Sequence, residues 1–124
     1  MRILVIEDDI FFQNFYKTKL EDKEFQVDIA PNGEEGLNKA KIQKPDIIIL
    51  DLVMPKMDGF EVLKELSASV TLRKIPVLVF STLGQESDVR KAKNMGATDY
   101  VNKSFFDLDK LVAKIYSVAK NVKT

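Results

Sequence analysis

The sequence predicts an α/β domain: one doubly wound, five-stranded parallel sheet with helices on both faces. Three observations carry that prediction. Five short apolar or β-branched runs recur along the 124 residues, and segments with helical spacing separate them. The runs Ile3-Leu4-Val5-Ile6, Ile47-Ile48-Ile49-Leu50 and Val77-Leu78-Val79-Phe80 are continuous apolar strings, which is how strands buried on both faces read. Strict alternation of strand and helix then calls for parallel strands joined by crossover helices.

The elements follow in order. The first strand is Arg2 to Ile6, and the helix after it carries Phe12, Phe15, Tyr16 and Leu20 at steps of three and four. The second strand is Gln26 to Ala30. A turn-forming Pro31-Asn32-Gly33 leads into a helix over Gly33 to Gln43 that presents Leu37, Ala40 and Lys41. The third strand is Asp46 to Leu50. Asp58 caps the third helix, which turns Phe60, Leu63 and Leu66 inward. The fourth strand runs from Pro76 to Phe80; as first residue, the proline need not donate to the ladder. The fourth helix runs from Ser87 to Met95 and stops at Gly96, a left-handed cap. Asp99 to Asn102 forms the fifth strand. The last helix, Asp107 to Val122, has an apolar stripe of Leu108, Leu111, Val112, Ile115, Val118 and Ala119. With no linker, repeat or low-complexity stretch, residues 1–124 are expected to form a single domain, with no output domain after Val122.

Composition narrows the function. Lys plus Arg and Asp plus Glu each total 19, so the net charge is zero and no basic face for nucleic acid or an anionic membrane is indicated. The absence of cysteine excludes disulfides, thiolate metal sites and thiol catalysis, and fits a reducing compartment. The absence of histidine removes the commonest general base, the usual zinc ligand and any phosphohistidine of the chain's own. No apolar stretch reaches membrane-spanning length and no secretory signal opens the chain, so a cytoplasmic protein is expected. Lys110, Lys114 and Lys120 on the last helix read as a solvated face.

Ligands of an open parallel sheet bind beyond the carboxyl ends of its strands, where the strand order reverses. With the order 2-1-3-4-5, that rule gathers Glu7 and Asp8 after strand one, Asp51 after strand three, Ser81-Thr82 after strand four and Lys103 after strand five. Like charges about 4 Å apart repel by roughly 4 kcal/mol at an effective dielectric near 20. Three carboxylates together therefore imply either a raised pKa or a bound hard cation. All-oxygen ligation favours Mg²⁺, which keeps waters and room for a phosphate oxygen. Asp8 and Asp51 are the candidate direct ligands, with Glu7 holding a coordinated water and the Val53 backbone carbonyl completing the protein's share. Asp51 is then the candidate phosphoacceptor, with Lys103 and the metal neutralising phosphoryl oxygens and Ser81 donating a hydrogen bond to one. Each residue alone has a plainer reading: Glu7-Asp8-Asp9 as a helix cap, Asp51 as a turn residue, Ser81 as a loop hydroxyl, Lys103 as a surface charge. Their coincidence at the correct strand ends favours the site. One of the Phe11 and Phe12 rings must point partly outward.

Over essentially its whole length the sequence resembles a response-regulator receiver domain of two-component signalling, which has a CheY-like, flavodoxin-like fold, and the strand order 2-1-3-4-5 used above rests in part on that resemblance. The pieces that carry the resemblance are Ile3 to Asp9, Asn32 to Leu37, Pro45 to Asp51, Met54-Pro55-Lys56-Met57-Asp58-Gly59, Ser81, Gly96 to Val101 and Lys103. The resemblance implies that Asp51 takes a phosphoryl group from a phosphohistidine on a sensor histidine kinase or phosphotransfer protein. It also implies Mg²⁺ at Glu7, Asp8 and Asp51, and phosphoryl contacts from Ser81 and Lys103. Tyr100 is similar to the family's switch aromatic, whose ring turns inward as Ser81 moves toward the phosphate. The changed surface would be α4-β5-α5, read by a downstream protein. Such a chain is a switch with self-catalysed phosphoryl acceptance and autodephosphorylation, not an enzyme acting on other substrates.

Departures from the family pattern matter too. Ser104 follows Lys103 where the family usually has proline, which bears on the shape of that loop. Thr82 replaces a small residue and can crowd access to the site. Val53 and Leu83, two residues beyond Asp51 and Ser81, are apolar and offer nothing to orient water, so slow hydrolysis of the aspartyl phosphate is expected. The competing reading is a phosphorylation-independent interaction module with the same fold. A haloacid-dehalogenase-type phosphatase would need an Asp two residues after its nucleophile, where this chain has Val53.

Overall fold

The computed structural model describes residues 1–105 and 107–120. Strands β1 (Arg2–Ile6), β2 (Gln26–Ala30), β3 (Ile47–Leu50), β4 (Val77–Ser81) and β5 (Asp99–Asn102) form one sheet in the order β2-β1-β3-β4-β5. Every pairing is parallel, and the register sets Ile6 beside Leu50 and Ser81 beside Asn102. The carboxyl ends of β1, β3, β4 and β5 therefore lie along one edge.

The helices are α1 (Ile10–Phe15), α2 (Gly33–Gln43), α3 (Gly59–Ala68), α4 (Glu86–Asn94) and α5 (Leu108–Ala119). Alternate strand residues feed two cores. One core joins Leu4, Ile6, Ile48, Leu50 and Val79 to α2, α3 and α4 through Ala40, Val62, Leu63 and Ala92. The other joins Ile3, Val5, Ile47, Ile49 and Phe80 to the turn that continues α1, through Tyr16 and Leu20, and to α5, through Leu111 and Ile115.

Side-chain caps start the helices where the sequence places them. Asp9, Asn32, Asp58 and Asp107 each accept an N–H from the first turn of α1, α2, α3 and α5. Gly96, at φ 112°, supplies the left-handed residue just beyond α4. Differences from expectation are local. Beyond Phe15 the first helix widens into a π-type turn over Tyr16–Leu20, which keeps both end residues buried. Asp46 lies just outside β3, where its carboxylate accepts the Arg2 N–H at 2.8 Å. Pro76 immediately precedes β4, and its carbonyl accepts the Ile48 N–H at 3.0 Å. On α3 the third fully buried apolar side chain is Val62, not Phe60. Phe60 is half-buried and carries the Lys91 ammonium over its ring at 4.2 Å. α4 begins and ends one residue earlier than expected. Val122, the expected end of the last helix, lies outside the described residues.

Candidate functional site

Among the described residues, the buried polar and charged side chains are Glu7, Asp51, Ser81 and Lys103. Each stands at the carboxyl end of a strand: β1, β3, β4 and β5 in turn. Such groups are rarely buried unless paired, so their gathering at one edge demands a reason.

Glu7 follows the last residue of β1, and its N–H donates to the Ala30 carbonyl at 2.9 Å, extending the ladder with β2. Its side chain is fully enclosed. Oε1 accepts from Lys103 Nζ at 2.5 Å, and Oε2 accepts from the Asp9 N–H at 3.2 Å. Asp51 is held the same way, its N–H donating to the Ile6 carbonyl at 3.1 Å. Its Oδ2 accepts from Lys103 Nζ at 3.1 Å and its Oδ1 from the Val53 N–H at 3.2 Å. Asp8 is more open and completes the acid group: carboxylate oxygens of Glu7, Asp8 and Asp51 lie within 4.8 Å of one another. Burial raises the Glu7 carboxyl, Lys103 draws it back and the Asp51 charge pushes it up again, leaving it at about 7.

The loop after Asp51 is shaped by a close approach. A Cβ on Gly59 would sit 2.4 Å from the Asp51 carbonyl oxygen and 2.6 Å from Leu52 Cα, so only glycine lets α3 begin against this backbone. The Gly59 N–H bonds the Leu52 carbonyl at 3.0 Å. Val53 is half exposed at the mouth.

On the other flank, Ser81 ends β4 with its Oγ accepting the Leu83 N–H at 3.3 Å. Tyr100 leans onto the core beneath α4, and its hydroxyl donates to the Leu83 carbonyl. The ring therefore points inward, against the loop that Ser81 begins. Lys103 opens a single 3₁₀ turn, Lys103–Phe105, entered through trans peptide bonds. Ser104 donates its N–H to Asn102 Oδ1 at 2.8 Å, which ties the turn to the end of β5. Gly84 lies against the same amide: a Cβ there would stand 2.3 Å from Asn102 Nδ2.

The structure thus brings Glu7, Asp8, Asp51 and Lys103 together, with Ser81 at the neighbouring strand end and Tyr100 behind it. Sequence reasoning missed Asn102, whose signal was weak: a residue common in turns, beside the lysine. It also missed Phe12, read as a core-stripe aromatic, whose ring centroid lies 4.2 Å from Lys103 Nζ. Phe11 is the ring that points outward, 70% exposed beside Ile10 at 72%. With Phe105 at 84%, these exposed apolar groups stand at the start of α1 and in the 3₁₀ turn after β5.

What the arrangement can do is set by its charges. Three acids and one ammonium leave an excess of negative charge, which suits an all-oxygen site for a hard divalent cation. No helix among the described residues is long and apolar enough to cross a membrane.

Comparison with known proteins identifies the family. The model of the response regulator receiver domain matches residues 3–116. The cell cycle response regulator CtrA of Brucella ovis is 37% identical over 123 residues, covering 99% of this chain and 52% of that protein. The chain thus spans about half the length of the curated relatives it matches. The Francisella response regulator 1452 receiver domain superposes with a TM-score of 0.89 at 30% identity, over 98% of both chains. The chemotaxis protein CheY4 of Vibrio cholerae gives 0.88 at 29% identity, over 94% of this chain and 97% of that one. The chain belongs to the response regulator receiver domains, signalling modules of two-component systems.

Proposed function

We propose that this receiver is switched by phosphorylation of Asp51, with the phosphoryl group arriving from a phosphohistidine on a sensor histidine kinase or phosphotransfer protein. The observation that carries the reading is a buried aspartate hydrogen-bonded to a buried lysine, at an edge where two further acids converge. An Asp51 carboxylate oxygen forms a bond to phosphorus while the P–N bond to the donor imidazole breaks, its electron pair remaining on the ring nitrogen. Asp51, already oriented by the Val53 N–H and Lys103, meets the phosphorus without repositioning. The Lys103 ammonium transfers one of its hydrogen bonds to a phosphoryl oxygen, and the Ser81 hydroxyl donates to another.

Asp8 and Asp51, with the Val53 backbone carbonyl, are the ligands we assign to Mg²⁺, and Glu7 is the acid that orients a coordinated water. The bound ion supplies positive charge against which an anionic phosphoryl group can approach an anionic carboxylate. The exposed Ile10, Phe11 and Phe105 suit a protein donor, whose apolar face they can meet.

The switch itself runs through Ser81 and Tyr100. Ser81 Oγ gives up the Leu83 N–H for the phosphoryl group, and the loop carrying Leu83 tightens around the inward ring. The α4-β5-α5 face then presents a changed surface to a downstream protein. Contacts made only in the phosphorylated state must supply roughly 5.5 kcal/mol to move such a balance from 1:99 to 99:1. We place the protein in the cytoplasm and read residues 1–124 as one receiver domain that accepts and slowly loses phosphate by its own chemistry.

Intact mass after incubation with acetyl phosphate and Mg²⁺ tests the reading. One added phosphoryl group is expected, absent in Asp51→Asn and abolished by EDTA. Failure to take either phosphate or metal would leave a phosphorylation-independent interaction module. Because Val53 and Leu83 offer no polar side chain to a hydrolytic water, the phosphorylated form should decay slowly in the same mass assay. A lifetime of only seconds would overturn that expectation.

A further inference from the structure

We propose that Phe12 is a positioning residue for Lys103: its ring face seats the ammonium and, with Phe80, keeps it aimed at Glu7 and Asp51. The proposal rests on the phosphoacceptor reading and deepens it, by naming what holds the cation that must meet the phosphoryl group.

The Lys103 side chain is 4% exposed, and its Nζ lies 4.2 Å from the Phe12 ring centroid and 5.9 Å from that of Phe80. Two of its three N–H donors go to Glu7 Oε1 at 2.5 Å and Asp51 Oδ2 at 3.1 Å. The negative face of the Phe12 ring lies within reach of the third. A cation over a ring is held most strongly when water is excluded, the condition met here.

The ring is itself fixed. Phe12 donates its N–H to the Asp9 carboxylate in the first turn of α1, which roots it directly behind Glu7 and Asp8. Its ring meets Phe80 edge-on at 6.0 Å and 73°, and it packs against Phe11 and Phe15 in the same manner. Lysine needs such a seat. Its four-carbon stem has many rotamers, and the Asn102–Ser104 bond fixes only the backbone of the turn, not the ammonium. Leucine at position 12 would fill the space with no attraction for a charge. When a phosphoryl oxygen enters and competes for the ammonium, the carboxylate bonds can be exchanged, whereas the ring contact persists throughout.

The test replaces Phe12 in the full chain by phenylalanines carrying one, two and three ring fluorines, which keep the shape while stripping charge from the ring face. One readout needs neither metal nor phosphate donor: the order parameter of the Lys103 Cε methylene from carbon relaxation. It is expected to fall stepwise with each fluorine. The second is the rate of phosphoryl uptake from acetyl phosphate with Mg²⁺, expected to fall by roughly fivefold to tenfold across the series. The same series at Phe25, buried beside Tyr116, should leave both unchanged. Phe12→Leu should reproduce the loss, and Phe12→Trp should restore it. A flat Lys103 order parameter across the Phe12 series overturns the seat. A falling order parameter with an unchanged uptake rate overturns the positioning role. If the order parameter falls but the natural chain never takes phosphate, the seat stands and the phosphoacceptor reading fails.

Discussion

The bodies of the central strands and their carboxyl ends are buried to the same degree but for opposite reasons. Along β1, β3 and β4 the enclosed residues from Ile3 to Ile6, Ile47 to Leu50 and Val77 to Phe80 are apolar, and their burial drives folding. One step further, the same strands deliver Glu7, Asp51 and Ser81 into equally dry surroundings, where burial of a carboxylate is uphill. Lys103 offsets part of that cost by serving both acids from 4% exposure. Residues in the bodies are therefore explained by stability. Those at the ends are held against it, and a buried acid raised as Glu7 is makes this edge the candidate site.

If that contrast is right, replacing an enclosed apolar residue and neutralising the enclosed acid should move stability in opposite directions. The largest change is expected in a strand body. Ile48→Ala empties a fully enclosed position between β1 and β4 and should cost about 3–4 kcal/mol in urea unfolding at any pH, with the acid edge intact. A cost below 1 kcal/mol would mean that the sheet interior relaxes freely and the contrast is blurred.

Glu7→Gln should act the other way. Folding lifts the Glu7 carboxyl from 4.5 to about 7, so between those values the folded state binds the extra proton and stability falls as pH rises. The natural chain, kept free of metal, should lose stability from pH 4.5 to 7. The glutamine variant should lose this dependence and become the more stable of the two near neutrality. Parallel pH–stability curves for the two proteins would break the comparison.

The smallest effect belongs to the turn that presents Lys103. Asn102→Ala removes the acceptor of the Ser104 N–H and should cost about 1 kcal/mol, read as a small drop in the urea midpoint. A larger loss would show that this turn belongs to the folding core and not to the functional edge.

Phe60 and Val62 show how far local pattern carries. Spacing placed both on α3, but which of them is fully enclosed depends on the facing residues of α2, where Gly33 lies against Val62. Asp46 and Pro76 missed their strands by one residue, since strand ends are set by pairing with neighbours, which no single segment encodes.

What the sequence by itself determined is everything that period and residue type settle locally. Unbroken apolar runs specify buried strands, alternation with helical segments specifies parallel pairing, and an acid placed after such a run must lie at a carboxyl end. The edge holding Glu7, Asp8, Asp51, Ser81 and Lys103 follows from those rules. Only the tertiary structure decided what these groups touch. Lys103 reaches Glu7 across 96 positions of sequence and Asp51 across 52, and it rests on a phenylalanine that local spacing assigns to the core. The bond from the Tyr100 hydroxyl to the Leu83 carbonyl is equally invisible in the chain. The physical reason is common to all three. Backbone period fixes where a side chain starts, but where a long or aromatic side chain ends depends on rotamers selected by neighbours that arrive only when the crossovers have closed.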